Sequence, residues 1–239
     1  MSSSILEKYA QKLDNPTLSV LPHDYLRPQS EPFIQEREYF INPPHLFLNY
    51  TDKDSLTIAT LAVWTSLIYR LTGDDDIVLY VDKVGVIRFT IQPNLTFKEL
   101  CSLIKNEVAS TETLKFDDFD SLSSYVQSTK DLEVAPQLFR IGFTMDELDY
   151  PLNKFKSSPF DMVVNIRAKD EALQIAYNSL LYSKERISNL CFQFELFLAT
   201  IRKQGEDSVI TKINLITKNT TTLPDPTKNL GWCDFRGCI

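Results

Sequence analysis

Residues 61–78 read LAVWTSLIYRLTGDDDIV, an apolar helical pattern that stops at a glycine and runs into a β-rich stretch. Leu61, Trp64, Ile68 and Leu71 recur at helical spacing, and Gly73 suits a left-handed helix end. Asp52, Asp54 or Ser55 can cap the start of the same helix. Past the acidic turn, Ile77 to Val81 is a short apolar run of the kind that forms an inner strand. Val86 to Ile91 is a second strand, ending before Pro93, and Asp82-Lys83-Val84-Gly85 suits a tight connection. A helix feeding directly into a buried strand marks an α/β domain, in which Trp64 is expected to bury against the sheet.

The flanking sequence extends this pattern in both directions. Thr96 caps a helix carrying Phe97, Leu100, Ile104 and Val108, with Glu99 as the capping-box acid. An amphipathic stretch at Phe116 to Val126 precedes strands at Leu138 to Phe143, Phe160 to Ile166 and Leu173 to Tyr177. The last helix starts at Ser183, carries Ile187, Leu190, Phe194, Leu198 and Ile201, and ends at Gly205. Upstream, Arg37 to Ile41 alternates as a first strand before Asn42-Pro43-Pro44. Residues 1–35 hold Pro16, Pro22, Pro28 and Pro32 and read as an irregular arm, either held by the body or mobile. The expected fold is α/β: a single two-layer sandwich whose mixed or antiparallel sheet has helices over one face. The expected divisions are an arm at 1–35, a body at 36–217 and a linker at 218–239.

Composition narrows the function classes. The 239 residues are 43% hydrophobic and 24% charged, enough for one well-built core. A net charge of -7 with scattered Lys and Arg disfavours general nucleic-acid or anionic-membrane binding, since either needs a basic face. No apolar run is long enough to cross a bilayer, and the start lacks the apolar core of a signal peptide, so a cytoplasmic location is expected. Cys101 and Cys191 fall in helical apolar patterns and read as core residues. Cys233 and Cys238 have no second ligand pair, so no metal site is assigned. Sequons at Asn49, Asn94 and Asn219 have no glycosylation meaning without a secretory route.

Several blocks carry a family resemblance. The helix-then-strand segment ending TGDDDIV resembles that of peptide-synthetase condensation domains, where TGQDDIVVG-like wording follows an apolar helix. TFKEL at 96–100, FDDFDSL at 116–122, KDLEVAPQLF at 130–139 and Pro159-Phe160-Asp161 resemble further blocks of that family in the same order. Ala176-Tyr177-Asn178 with the helix from Ser183 completes the series. The resemblance covers about residues 36–217 and implies one half of a chloramphenicol-acetyltransferase-type condensation domain. The tail segment LPDPTKNLGWCDF, residues 223–235, resembles the junction before the adenylation domain of fungal α-aminoadipate reductases of lysine biosynthesis.

The resemblance implies a parent enzyme rather than a local active site. Its adenylation domain would activate the 6-carboxylate of L-2-aminoadipate with ATP and Mg. A phosphopantetheine carrier would take the acyl group, and a reductase domain would release the semialdehyde with NADPH. None of those site residues is expected within 1–239. Condensation domains work through a His-His-x-x-x-Asp-Gly loop, and this sequence has only His23 and His45, both beside prolines and neither next to another His. Each reads as a surface or turn residue.

Asp74-Asp75-Asp76 reads as a solvated acidic turn, because three consecutive side chains diverge. Ser121, Ser123 and Ser124 lack a recognisable base, and no Gly-rich phosphate loop is present. No catalytic, cofactor-binding or metal residue is therefore assigned. Trp232 and Phe235 sit in a proline-rich segment too short to bury them and are read as interdomain anchors onto the following adenylation domain. The expected role is a non-catalytic scaffold; the alternative is an acyltransferase completed by another domain or copy.

Overall fold

Asp52 opens the long helix by accepting the Ser55 amide hydrogen at 2.7 Å, and Gly73 closes it at φ 80°, donating its N–H to the Tyr69 carbonyl. A computed structural model describes this helix and residues 3–17, 20–27, 37–42, 52–112, 140–144, 160–167 and 172–215. Its helices are α1 (Ser3–Lys12), α2 (Lys53–Thr72), α3 (Phe97–Glu112) and α4 (Lys184–Gln204). Its strands are β1 (Arg37–Asn42), β2 (Asp76–Val81), β3 (Gly85–Thr90), β4 (Ile141–Thr144), β5 (Met162–Arg167) and β6 (Ala172–Asn178). The capping box at α3 is reciprocal: Thr96 donates its N–H to Glu99 Oε2 at 2.9 Å, and Glu99 donates its N–H to Thr96 Oγ1 at 3.3 Å. Ser183 caps α4 by accepting from the Arg186 amide. The amphipathic stretch at 116–126 lies outside the described residues.

The six strands form one sheet in the order β1-β6-β5-β4-β2-β3. β4 runs parallel to both β2 and β5, and the other neighbours are antiparallel, which makes the sheet mixed. β2 is an inner strand, as its unbroken apolar run implies. Side chains of Ile77, Leu79, Ile87, Phe143, Val164 and Ile175 join one core with α2, α3 and α4, and Trp64 is fully buried in it.

The opposite face of the sheet is also covered, which corrects the expectation of helices on one face. Val78, Tyr80, Val86, Val163 and Ala176 alternate onto that face and are buried. Arg88 shares their side of β3 and donates from Nη1 to the carbonyls of Lys12 and Asp14, at 2.9 and 2.7 Å. These bonds place the end of α1 there, with Tyr9 and Leu13 fully buried. The arm is thus helical at its start, because its prolines begin at Pro16, after Lys12, and end the helix without preventing it.

Two smaller expectations are also corrected. Asp76 leaves the solvated turn: Arg88 donates from Nε and Nη2, each at 2.8 Å, and the Thr17 amide adds a third bond at 2.8 Å. Burial alone would raise this carboxyl, but the Arg88 hydrogen bonds and the Thr17 amide hold it below the usual carboxylate range. Cys191 is buried as expected, whereas Cys101 is only half-buried.

Candidate functional site

A polar cluster forms where the arm crosses the start of α4. Asp161, just before β5, is 1% exposed and is fixed through its backbone: its N–H donates to the Arg140 carbonyl at 2.7 Å, and its own carbonyl accepts from Asn178 at 2.9 Å. Arg27 of the arm donates from Nη2 to the Asp161 carboxylate, and Arg140 Nη1 stands 3.6 Å from the second oxygen. A carboxylate this deep requires such cations, since an unpaired buried charge is costly. Three residues upstream of Arg27, Asp24 accepts from the Ser183 amide and hydroxyl at 2.9 Å each, and from Arg186 Nε at 2.6 Å. The amides of Asp24 and Tyr25 both donate to the Leu181 carbonyl, at 2.9 and 3.2 Å.

His23 lies inside this clamp. Its ring meets Tyr182 edge-on, with centroids 5.3 Å apart, and Nε2 is 4.0 Å from Asp161 Oδ2, too far for a hydrogen bond. Burial lowers its pKa; Asp161 opposes this, and the cations of Arg27, Arg140 and Arg186 add to it. Asp24 is held below the usual carboxylate range, because the Ser183 and Arg186 bonds outweigh its desolvation. The Ser183 hydroxyl donates to Asp24 and is not offered to His23. The chemistry of the cluster is therefore that of a clamp: fixed cations on buried anions, with no nucleophile aligned on a base.

A groove of about 700 Å³ lies on another side of the body, between the first half of α2, α3 and the β2–β3 turn. Ile58, Val84, Cys101 and Phe143 line it with Lys98 and Lys105. Burial pushes the Cys101 thiol up to about 12, so it is no thiolate nucleophile. Among the described residues, no group of three or more His, Cys, Asp or Glu is placed to hold a metal ion, and no helix is long and apolar enough to cross a membrane.

The sequence-predicted anchors Trp232 and Phe235 lie outside the described residues, as do His45, Cys233 and Cys238. His23, expected at the surface or in a turn, is half-buried as part of the clamp. Arg27, Arg140 and Asp161 were not legible as a site, because Arg27 and Asp161 are 134 positions apart. Pro159-Phe160-Asp161 was the one local signal, and only as a strand start.

Solved structures of this shape define the class. A four-domain nonribosomal peptide synthetase bound to AMP and glycine matches with a TM-score of 0.70 at 13% identity, over 91% of this chain and 20% of that one. The starter condensation domain of rhizomide synthetase gives 0.67 at 17% identity, over 90% of this chain and 55% of that one. The X-domain from teicoplanin biosynthesis gives 0.66 at 12% identity, over 89% and 57%. The fold is that of peptide-synthetase condensation domains and their X-domain kin, of which this chain matches about half. No protein-family model matches the chain.

Sequence relatives are more specific. The L-2-aminoadipate reductase of Saccharomyces cerevisiae is 46% identical over 235 residues, 97% of this chain and 17% of the relative. The L-2-aminoadipate reductase large subunit of Candida glabrata is 44% identical over 97% of this chain and 16% of its own length. The chain is a homologue of one segment of the L-2-aminoadipate reductases. It spans about a sixth of the length of these curated relatives.

Proposed function

We propose that this chain is a non-catalytic, condensation-like scaffold segment of a multidomain L-2-aminoadipate reductase acting in lysine biosynthesis. The identity of 46% along 97% of the chain carries this reading. In it, a following adenylation domain uses ATP and Mg, a carrier holds the acyl group on phosphopantetheine, and a reductase domain uses NADPH. This segment supplies none of those sites. The absence of a His-His-x-x-x-Asp-Gly loop from the sequence supports the scaffold role, as does the clamp geometry around His23. Trp232 and Phe235 are proposed to anchor the tail on the adenylation domain, with residues 1–35, 36–217 and 218–239 as arm, body and linker.

The test is reductase turnover by the whole polypeptide carrying His23→Gln and His45→Gln. Activity within about twofold of the parent is the expected outcome, because neither His belongs to a His-His-x-x-x-Asp-Gly loop. A hundredfold loss, on the order of 3 kcal/mol of barrier, from a variant that remains folded would overturn the scaffold reading in favour of an acyltransferase completed elsewhere.

A further inference from the structure

Four large apolar side chains are exposed among the described residues: Val20, Tyr25, Leu26 and Phe192. Three of them fall within seven residues of the arm. Leu26 is 95% exposed and Tyr25 53%. Isolated exposed apolar residues are ordinary on a protein surface. What distinguishes this pair is how it is held.

Both residues next to the pair are anchored. On one side Asp24 binds the Ser183 amide, the Ser183 hydroxyl and Arg186. On the other, Arg27 binds the buried Asp161 carboxylate. The Tyr25 amide itself donates to the Leu181 carbonyl. The backbone of the tip is therefore fixed while its side chains point to solvent. Fixing it costs conformational entropy that burial of these side chains does not offset within the described fold. Ordering already done before association raises affinity, and Tyr is among the residue types that dominate interface energies.

We infer that the Tyr25–Leu26 tip is a preformed docking contact, which inserts into an uncharged apolar pocket on another domain of the same polypeptide. This rests on the multidomain reading above. Charge sets the chemistry of the pocket: Asp24 is matched by Arg186 and Arg27 by Asp161, so the tip presents apolar surface with its flanking charges already paired. Relative length sets the occupant. The aminoadipate reductase of Saccharomyces cerevisiae matches 97% of this chain with only 17% of its own length, so a tethered domain is available at high effective concentration.

The experiment places a photo-crosslinking amino acid at position 26 of the whole polypeptide, with position 207, also exposed, as the comparison. The expected result is a crosslink from position 26 to a site outside residues 1–239 of the same polypeptide. Its yield should be at least about tenfold above that from position 207 and independent of protein concentration. A yield no greater than at position 207 overturns the inference, as does a crosslink confined to residues 1–239. A crosslink to a second copy, rising with concentration, also overturns it. Aminoadipate-dependent NADPH oxidation is assayed on the same preparation: its absence counts against the reductase reading, whereas normal turnover without the crosslink counts against the docking contact alone.

Discussion

Arg88 grips Asp76 with two nitrogens, Nε and Nη2, each 2.8 Å from a different carboxylate oxygen, and uses its remaining donors on arm carbonyls. One side chain thus ties β3, β2 and the end of α1. Arg88→Ala should destabilise the domain by about 1–3 kcal/mol, because it leaves Asp76 without its cation and the arm carbonyls without their donor. Arg88→Lys should recover only part of this, since a single ammonium cannot reproduce the fork. Urea unfolding of the three proteins checks it; equal midpoints for Arg88→Ala and the parent would refute the role assigned to Arg88.

The Arg27–Asp161 pair should behave as a coupled unit. Arg27→Met leaves a carboxylate that is 1% exposed with the longer contacts to Arg140 and His23, and should cost about 2–4 kcal/mol. Asp161→Asn should cost a similar amount. The double variant should cost clearly less than the two single costs added together, which a thermodynamic cycle from denaturant curves will read directly. Strict additivity would mean that the two residues act independently.

His23 predicts a pH dependence of stability. Its folded pKa is lowered from an ordinary value near 6.5, so below that pH the unfolded chain binds more protons than the folded one. Its contribution is fully present above about pH 6.5 and is lost as pH falls through the folded value. Asp24 and Asp76, also lowered, add a second loss beginning near their ordinary value of about 4 and completed below their folded values. Thermal melts from pH 8 to pH 3 should show both declines, and His23→Gln should flatten the upper one only. An unchanged profile in that variant would show that the upper decline has another source.

Gly142 tests the packing of the second face. A Cβ there would meet Val163 Cγ2 at 3.3 Å and two ring carbons of Phe160 at 3.4 Å. Phe160 is 1% exposed and packs on Tyr80 with centroids 5.3 Å apart, so it has little room to yield. Gly142→Ala should therefore cost about 1–2 kcal/mol despite its gain in β-propensity. A variant as stable as the parent would show that the ring can shift freely.

Local signals made most of the body legible. Asp52 and Gly73 bracket α2 because capping depends on residues a turn apart, and the Thr96–Glu99 box is likewise complete within four residues. Helix α1 carried a signal that the downstream prolines obscured: Ile5, Tyr9 and Leu13 recur every four residues. The clamp carried no local signal. Arg27, Arg140 and Asp161 acquire meaning only when the fold brings the arm to the start of β5, and a lone His gives no hint of whether it will be enclosed. Trp232 and Phe235 are conspicuous in the sequence for the opposite reason, as aromatics in a proline-rich stretch, and they lie outside the described residues.

The pairing of β1 with β6 sets an order on synthesis. Arg37 lies opposite Asn178, so the first strand of the chain finds its neighbour only after about 140 further residues have left the ribosome. At typical elongation rates that is a wait on the order of ten seconds, far longer than the β2–β3 hairpin needs to close. The stretch of the arm from Asp24 to Arg27 faces the same wait, because its attachments at Asp161, Leu181, Ser183 and Arg186 are all made late, unlike those of Lys12 to Thr17 at Asp76 and Arg88. The Tyr25–Leu26 tip therefore takes its fixed shape only once the chain is complete through the start of α4, and a nascent or truncated product cannot present it.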